Sequence, residues 1–358
     1  MLPSLFRRRL GRRALGSAAV VAATLAAAVV GAGSAAAAPT QCREVSFPVR
    51  LAALSGSIHG TLCAPPEART LQILVHGHSY NRSYWDSPYE PERYSYVRRA
   101  TEHGYATLAI DRIGTGTSWR PPSVATTLDA NVDTVGQVVE AVARGEVGGF
   151  EHLVLVGHSY GTLTAYGVAG DPRAGRHLDA VVATGGSHGI DYAYAGLAYF
   201  PFVRPAVTDP AFADRAPDPA YVVAAPGKHN VFVNAANTDP ALLELNEGAL
   251  KDTGTLEELA TLGTHTVQNL TPLRSSAPVN IPILAINGAE DPFFCGPPLA
   301  ADCSSGEALA RYERPFFGPD AQVEGVVLPG TGHGFAIERT APIAYDAMLD
   351  FVDRHVGV

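Results

Sequence analysis

Short apolar runs, each cut off by a glycine or a polar residue, recur along this chain with longer mixed stretches between them. They lie at residues 71–75, 106–110, 152–156, 179–183, 281–286 and 323–328. Runs of this length without polar alternation suit strands covered on both faces, as in a buried parallel sheet. Between the second and third runs, Val132, Val135, Val138, Val139 and Val142 recur at helical spacing over residues 131–144, with Gly145 as a stop. Strand, helix, strand repetition predicts an α/β fold. Residues 45–52 and 57–63 read as a strand pair ahead of it. From about residue 188 to 276 the rhythm breaks into a stretch rich in Pro and aromatics, too long for a linker and better read as a cap or lid. With 46% apolar and 17% charged residues, the chain is neither disordered nor fibrous.

The first 38 residues read as an address rather than as part of this fold. Arg7, Arg8, Arg9, Arg12 and Arg13 face no acid there, an Ala/Val-rich run follows over residues 14–30, and Ala36-Ala37-Ala38 offers the small side chains a signal peptidase needs. The run is short of the roughly 20 residues that span a bilayer. The expectation is a secretory leader cleaved near Ala38, secretion, and no stable membrane insertion afterwards. Arg8-Arg9 and Arg12-Arg13 resemble a twin-arginine signal, which leaves the export route open between Sec and twin-arginine transport. The chain's net charge is -9, and without those five arginines the remainder has 21 bases against 35 acids, or -14, with no basic stripe, so nucleic-acid binding is excluded as an expectation. In an oxidising compartment the 4 Cys are read as disulfides. The favoured pairing is Cys42 with Cys63, tying two N-terminal strands, and Cys295 with Cys303, closing a short loop. Neither pair has zinc-ligand spacing with nearby histidines.

The chemistry sits at strand ends. Gly157-His158-Ser159-Tyr160-Gly161 places G-x-S-x-G between the strand-like run 153–156 and a helix-compatible stretch. A serine on so sharp a turn takes strained backbone angles, and small residues on either side let strand and helix approach closely. Gly77-His78-Ser79-Tyr80-Asn81 lacks the closing glycine, so Ser79 is not the expected nucleophile. A serine hydroxyl needs a general base, and that base needs an anionic partner. His333 follows the last strand in a Gly-rich loop, whereas His59, His103, His152, His177 and His355 read as packing or surface. The acid is expected after the strand 283–286, at Asp291, with Glu290 as its rival.

The order Ser159, Asp291, His333, each after its own strand, resembles the α/β-hydrolase superfamily over residues 45–356, weakening in the lid. His76-Gly77-His78 is similar to that family's oxyanion loop, the turn from Asp111 to Gly116 to its structural Asp turn, and the turn from Gly288 to Asp291 to its acid turn. The resemblance implies a mostly parallel eight-stranded sheet flanked by helices, with a cap between strands 6 and 7. The implied division is a leader at 1–38, core at 39–187 and 277–358, and cap at 188–276. It also implies a Ser159–His333–Asp291 triad, an oxyanion hole from the backbone N–H groups of His78 and Tyr160, and acyl transfer needing no metal or organic cofactor.

Aromatics on both candidate walls suit an apolar acyl or alcohol group: Tyr80, Tyr84 and Trp85 beside the oxyanion loop, and Tyr192, Tyr194, Tyr199, Phe200, Phe202 and Phe232 in the lid. The first expectation is a secreted carboxylic ester hydrolase acting on a small-molecule ester. The second is a secreted aminopeptidase or amidase acting on a short peptide, because Ser159-Tyr160-Gly161-Thr162 resembles the elbow of aminopeptidases of the same fold. That reading requires cap acids such as Asp191, Asp209, Glu244 or Glu247 to bind a free amino group. A third, remote reading is a non-catalytic binding protein on a hydrolase scaffold.

Overall fold

The computed structural model describes residues 40–269 and 275–358, so the stretch read as a leader, residues 1–38, lies outside the described residues. In chain order the strands are β1 (Gln41–Leu51), β2 (Leu54–Ala64), β3 (Thr70–Val75), β4 (Ala106–Ile110), β5 (His152–His158), β6 (Ala180–Thr184), β7 (Val203–Pro205), β8 (Tyr221–Ala224), β9 (Gly254–Thr255), β10 (Ile283–Gly288) and β11 (Val323–Leu328). The helices are α1 (Pro91–Tyr94), α2 (Tyr96–Glu102), α3 (Leu128–Ala143), α4 (Tyr160–Gly170), α5 (Tyr192–Ala198), α6 (Pro240–Glu247), α7 (Leu256–Asn269), α8 (Gly306–Glu313) and α9 (Ala341–His355).

Eight strands form one sheet in the order β1-β2-β4-β3-β5-β6-β10-β11. β1 pairs antiparallel with β2 and β2 with β4, while every later pair is parallel. Burial follows the sequence pattern. β3, β4, β6 and β10 are buried at every residue, whereas edge strand β1 alternates and turns Val45, Phe47, Val49 and Leu51 inward. The ladder of β10 starts at Ile283 rather than 281, since Pro282 has no N–H to donate and offers only its carbonyl, to Val181.

From β3 the chain crosses to β4 on one side, and from β5 it crosses to β6 on the other. Right-handed crossovers then place α1 and α2 on the opposite face of the sheet from α3 and α4. A crevice opens at the C-terminal ends of β3 and β5, where this reversal occurs, and ligands of open α/β sheets bind in such crevices. The oxyanion-like loop and the serine turn leave these two strands.

Between β6 and β10 the chain leaves the main sheet and builds α5, α6, α7 and a three-stranded antiparallel sheet, β7-β8-β9. This small sheet was not among the expected strands: two to four residues bounded by Pro or Gly leave no readable periodicity. Ala206, Phe212, Ala216, Tyr221 and Val223 give the insertion a small core of its own. Its two ends meet on the main body. His188 donates from Nδ1 to Glu313 on α8 at 2.7 Å, its Nε2 lies 2.8 Å from Ser276 Oγ, and its ring stacks on Tyr166 and Phe316.

Both expected disulfides are present. Cys42–Cys63 joins directly opposed residues of β1 and β2, and Cys295–Cys303 closes the loop after β10. Closing loops of these lengths stabilises a fold by about 2 to 4 kcal/mol each. Reduction is therefore expected to lower the thermal midpoint measured by circular dichroism, and a midpoint indifferent to reductant would show that the bridges contribute nothing.

Candidate active site

The turn after β5 is built by close approach. Ser159 sits at φ 55°, ψ -119°, a conformation costing a non-glycine residue about 1 to 3 kcal/mol. A Cβ on Gly157 would stand 2.3 Å from the Gly161 carbonyl oxygen, and one on Gly161 would stand 2.3 Å from that of Val75. Any larger side chain would push α4 away from β5 and β3. The Ser159 N–H donates to Thr184 O on β6 at 2.8 Å, which pins the turn to the neighbouring strand.

Around this serine the structure gathers the other expected residues. His333, buried in the loop after β11, has Nε2 2.9 Å from Ser159 Oγ and Nδ1 2.8 Å from Asp291 Oδ2. Asp291 follows β10 and is buried; its Oδ1 accepts from the amides of Phe293 at 2.9 Å and Phe294 at 3.2 Å. Both carboxylate oxygens are thus partnered, and the imidazole is held from one side. Glu290 is exposed and accepts from Asn234 Nδ2 at 2.8 Å, away from the histidine. The His333 loop is anchored beneath by Glu338, whose carboxylate accepts from Gly332 N and Asn234 N; burial pushes that carboxyl's pKa up.

His78 and Tyr160 line the same cleft as Ser159 and His333. Among the described residues, no protein acceptor takes the backbone N–H of either, so both amides are free to bind a ligand oxygen. The space between its walls, open solvent included, is about 560 Å³, and those walls are almost wholly apolar. Leu163, Ile190, Ala195, Leu259, Leu262 and Phe294 line it beside Tyr80, Tyr192, Tyr199, Phe200, Phe232 and Phe293.

The aromatic expectations divide here. Tyr84 and Trp85 do not line the cleft: both are fully buried beneath the serine turn, where Tyr84 stacks on His158 at 4.3 Å. Tyr194 and Phe202 are also outside it; Tyr194 packs edge-on to Phe293, and Phe202 lies under the Lys228 ammonium. Aromatic adjacency in sequence does not say which face of a segment a ring takes. The cap acids lie elsewhere too. Asp191 caps α5, Asp209 pairs with Arg204, Glu247 accepts from the amides of Gly227 and Asn230, and Glu244 is exposed.

Sequence reading missed several buried polar residues. His158, inside the serine motif, has its ring 4.9 Å from that of His333. Burial foremost, then His333 and His76, hold its pKa well below the usual imidazole value. His76 is likewise pushed well down, by burial and then by Arg112. Arg112, fully buried, pairs with Glu258 of α7 at 2.6 Å. From His78 and Tyr199 in the cleft wall, a hydrogen-bonded row runs from His78 Nδ1 through Tyr199 OH and Ser79 Oγ to His229 Nε2. Among the described residues no group of three or more His, Cys, Asp or Glu could hold a metal ion, and no helix is long and apolar enough to cross a membrane.

Residues 72–347 match the alpha/beta hydrolase family. Among solved structures, the fold is similar to a soluble variant of monoglyceride lipase from Saccharomyces cerevisiae, with TM-score 0.60, 12% identity, 87% of this chain and 95% of that one covered. It is also similar to a carboxylesterase from Bacillus subtilis, with TM-score 0.53, 14% identity and 87% and 92% covered. Naproxen esterase from the same organism gives TM-score 0.54, 14% identity and 87% and 92% covered. No curated protein matches the chain in sequence.

The buried histidines set an acid limit on stability. Burial pushes His229 down to about 3. Below the ordinary imidazole value near 6.5, the unfolded chain therefore binds protons that folded His229, His76 and His158 refuse. Stability is full above pH 6.5 and falls as pH drops, by up to about 1.4 kcal/mol per pH unit for each such histidine. Urea melts from pH 7 to 5 should show this slope, and His229→Gln should make it shallower. An unchanged slope in His229→Gln would mean that His229 protonates in the folded state.

Proposed function

The chain belongs to the alpha/beta hydrolase family, and from that premise we propose that it is a serine hydrolase cleaving carboxylic esters through Ser159, His333 and Asp291. One observation carries this reading: the His333 imidazole stands between Ser159 Oγ at 2.9 Å and the buried Asp291 carboxylate at 2.8 Å. As Ser159 Oγ attacks the ester carbonyl, His333 Nε2 takes its proton, and Asp291 stabilises the imidazolium that forms. The amides of His78 and Tyr160 receive the developing oxyanion, at about 3 to 4 kcal/mol per donor in related chemistry. His333 returns the proton to the leaving alkoxide, an acyl group remains on Ser159, and water repeats the cycle. His158, kept neutral by burial, places no second positive ring beside the imidazolium.

The cleft favours an ester over a peptide with a free amino terminus. Among the described residues no carboxylate lines it, and none of the cap acids that an aminopeptidase would need reaches it. An ammonium group would enter an apolar cavity without a counter-charge, a burial costing several kcal/mol. Apolar acyl esters meet no such barrier.

The wider reading is of an exported enzyme. The two disulfides suit an oxidising compartment, in keeping with a leader at residues 1–38. Residues 188–276 then act as a cap over a core formed by 39–187 and 277–358. The substrate is a small-molecule ester, and the acidic, stripe-free chain has no part in nucleic-acid binding.

Purified protein should hydrolyse p-nitrophenyl esters and leave amino acid p-nitroanilides intact; the opposite preference would make it an amidase. Ser159→Ala should remove turnover by a factor on the order of 10⁴ or more while the fold survives. Asp291→Asn should cost on the order of 10⁴ in kcat, and Glu290→Gln little. If Glu290→Gln were the damaging change, the acid would be one residue earlier.

A further inference from the structure

Arg112 leaves the end of β4 and is wholly enclosed, yet the triad makes no use of it. Its guanidinium contacts the Gly77–His78 peptide through the Gly77 carbonyl, and it contacts the ring of Tyr160. Nη2 donates to Gly77 O at 3.1 Å and Nε to His76 O at 3.2 Å, while the plane lies over the Tyr160 ring with its carbon 4.6 Å from the centroid. The Gly77 carbonyl also accepts from His76 Nδ1 at 2.8 Å, and His76 Nε2 in turn accepts from the Arg112 backbone N–H at 3.2 Å.

Peptide geometry gives these contacts their consequence. In a planar trans peptide the C=O and N–H point in opposite directions. Holding Gly77 O against two donors therefore turns the N–H of His78, the other half of that peptide, to the opposite side. Gly77 itself abuts the serine: a Cβ on it would stand 3.0 Å from Ser159 Cβ. The guanidinium is fixed from its far side by the cap and by α3. Nη1 donates to Glu258 Oε1 at 2.6 Å and to Asn131 Oδ1 at 2.8 Å. Asn131 Nδ2 also donates to Glu258 Oε1, and Thr255 N to Oε2.

We propose that Arg112, locked by Glu258, is a positioning residue for the oxyanion pocket, so that seating of α7 against the core aligns the His78 amide and braces Tyr160. The inference rests on the ester-hydrolase reading and adds what sets the geometry of that site. Arg112 touches no substrate. It acts through the Gly77–His78 peptide and the Tyr160 ring, and its four acceptors lie at angles that a planar fork can span and a lysine ammonium cannot.

The test compares wild type with Arg112→Lys and Glu258→Gln on a p-nitrophenyl ester, with a trifluoromethyl ketone of matching acyl group as inhibitor. The ketone adds Ser159 Oγ to its carbonyl carbon and leaves an oxyanion in the pocket, so its affinity reads the alignment of the two amides. Arg112→Lys should lower kcat by about 10- to 100-fold, leave KM within about threefold, and weaken the ketone by the same factor as kcat/KM. Glu258→Gln should move kcat and the ketone in the same direction by a smaller factor, and it carries the test should Arg112→Lys not fold. If the folded variants keep wild-type kcat and ketone affinity while only their melting points fall, Arg112 is structural and the proposal is overturned. If wild type itself hydrolyses no ester and forms no ketone adduct, the ester-hydrolase reading fails and this inference falls with it.

Discussion

Everything at this site depends on how closely three backbones approach at the serine turn. β5 ends, α4 begins, and the last carbonyls of β3 pass beneath, with no room for a Cβ at Gly157 or Gly161. That approach forces Ser159 to positive φ and lifts its side chain clear of the sheet. The strain of about 1 to 3 kcal/mol is tolerable because the surrounding strands, buried at nearly every position, over-determine the turn. Because β3 and β5 are also where the sheet reverses its strand order, the loop after β3 and the serine meet without any long excursion of chain.

Above this rigid floor the insertion supplies the walls and, through a few buried polar contacts, its own alignment. His188 and Ser276, near its two ends, meet Glu313 of the main body in a single hydrogen-bonded cluster. Ser276, His188 and Glu313 have the side chains of a second Ser–His–acid array, yet Ser276 is 1% exposed and its hydroxyl donates to Phe316 O, so the cluster fastens the cap and faces no cleft. Glu258 ties α7 to Arg112, and Asn234 ties the insertion to Glu290 and the His333 loop. Breaking a buried pair such as Arg112–Glu258 by removing one partner leaves an uncompensated charge and costs about 3 to 5 kcal/mol. The cleft between cap and floor is apolar because aromatic and aliphatic side chains from both make up most of its wall.

Most of the sheet and the three central side chains were legible in the sequence. Continuous apolar runs mark the strands buried on both faces, and Ser159, Asp291 and His333 each follow such a run at a turn rich in Gly or Pro. The opposed positions of Cys42 and Cys63 follow from the register of two adjacent strands. What was not legible depends on contacts distant in sequence. Arg112 finds Gly77 35 residues away and Glu258 146 residues away, and no local pattern marks either partner. Tyr84 and Trp85 share a short stretch with Tyr80, yet only Tyr80 faces the cleft, because the 3-10 turn starting at Arg82 carries the other two into the core. His158 occupies a position that the serine motif leaves free, so nothing in the motif signals that its ring packs against the catalytic candidate.

The central claim is that the Ser159 hydroxyl is made nucleophilic by the imidazole 2.9 Å away. Its most direct test is intact-mass and peptide mass spectrometry after exposure to a fluorophosphonate, for wild type and His333→Ala side by side. The expected result is one adduct per wild-type chain, located on Ser159, and labelling slowed by orders of magnitude without the imidazole. Stoichiometric labelling elsewhere, or equally fast labelling of both proteins, would contradict it.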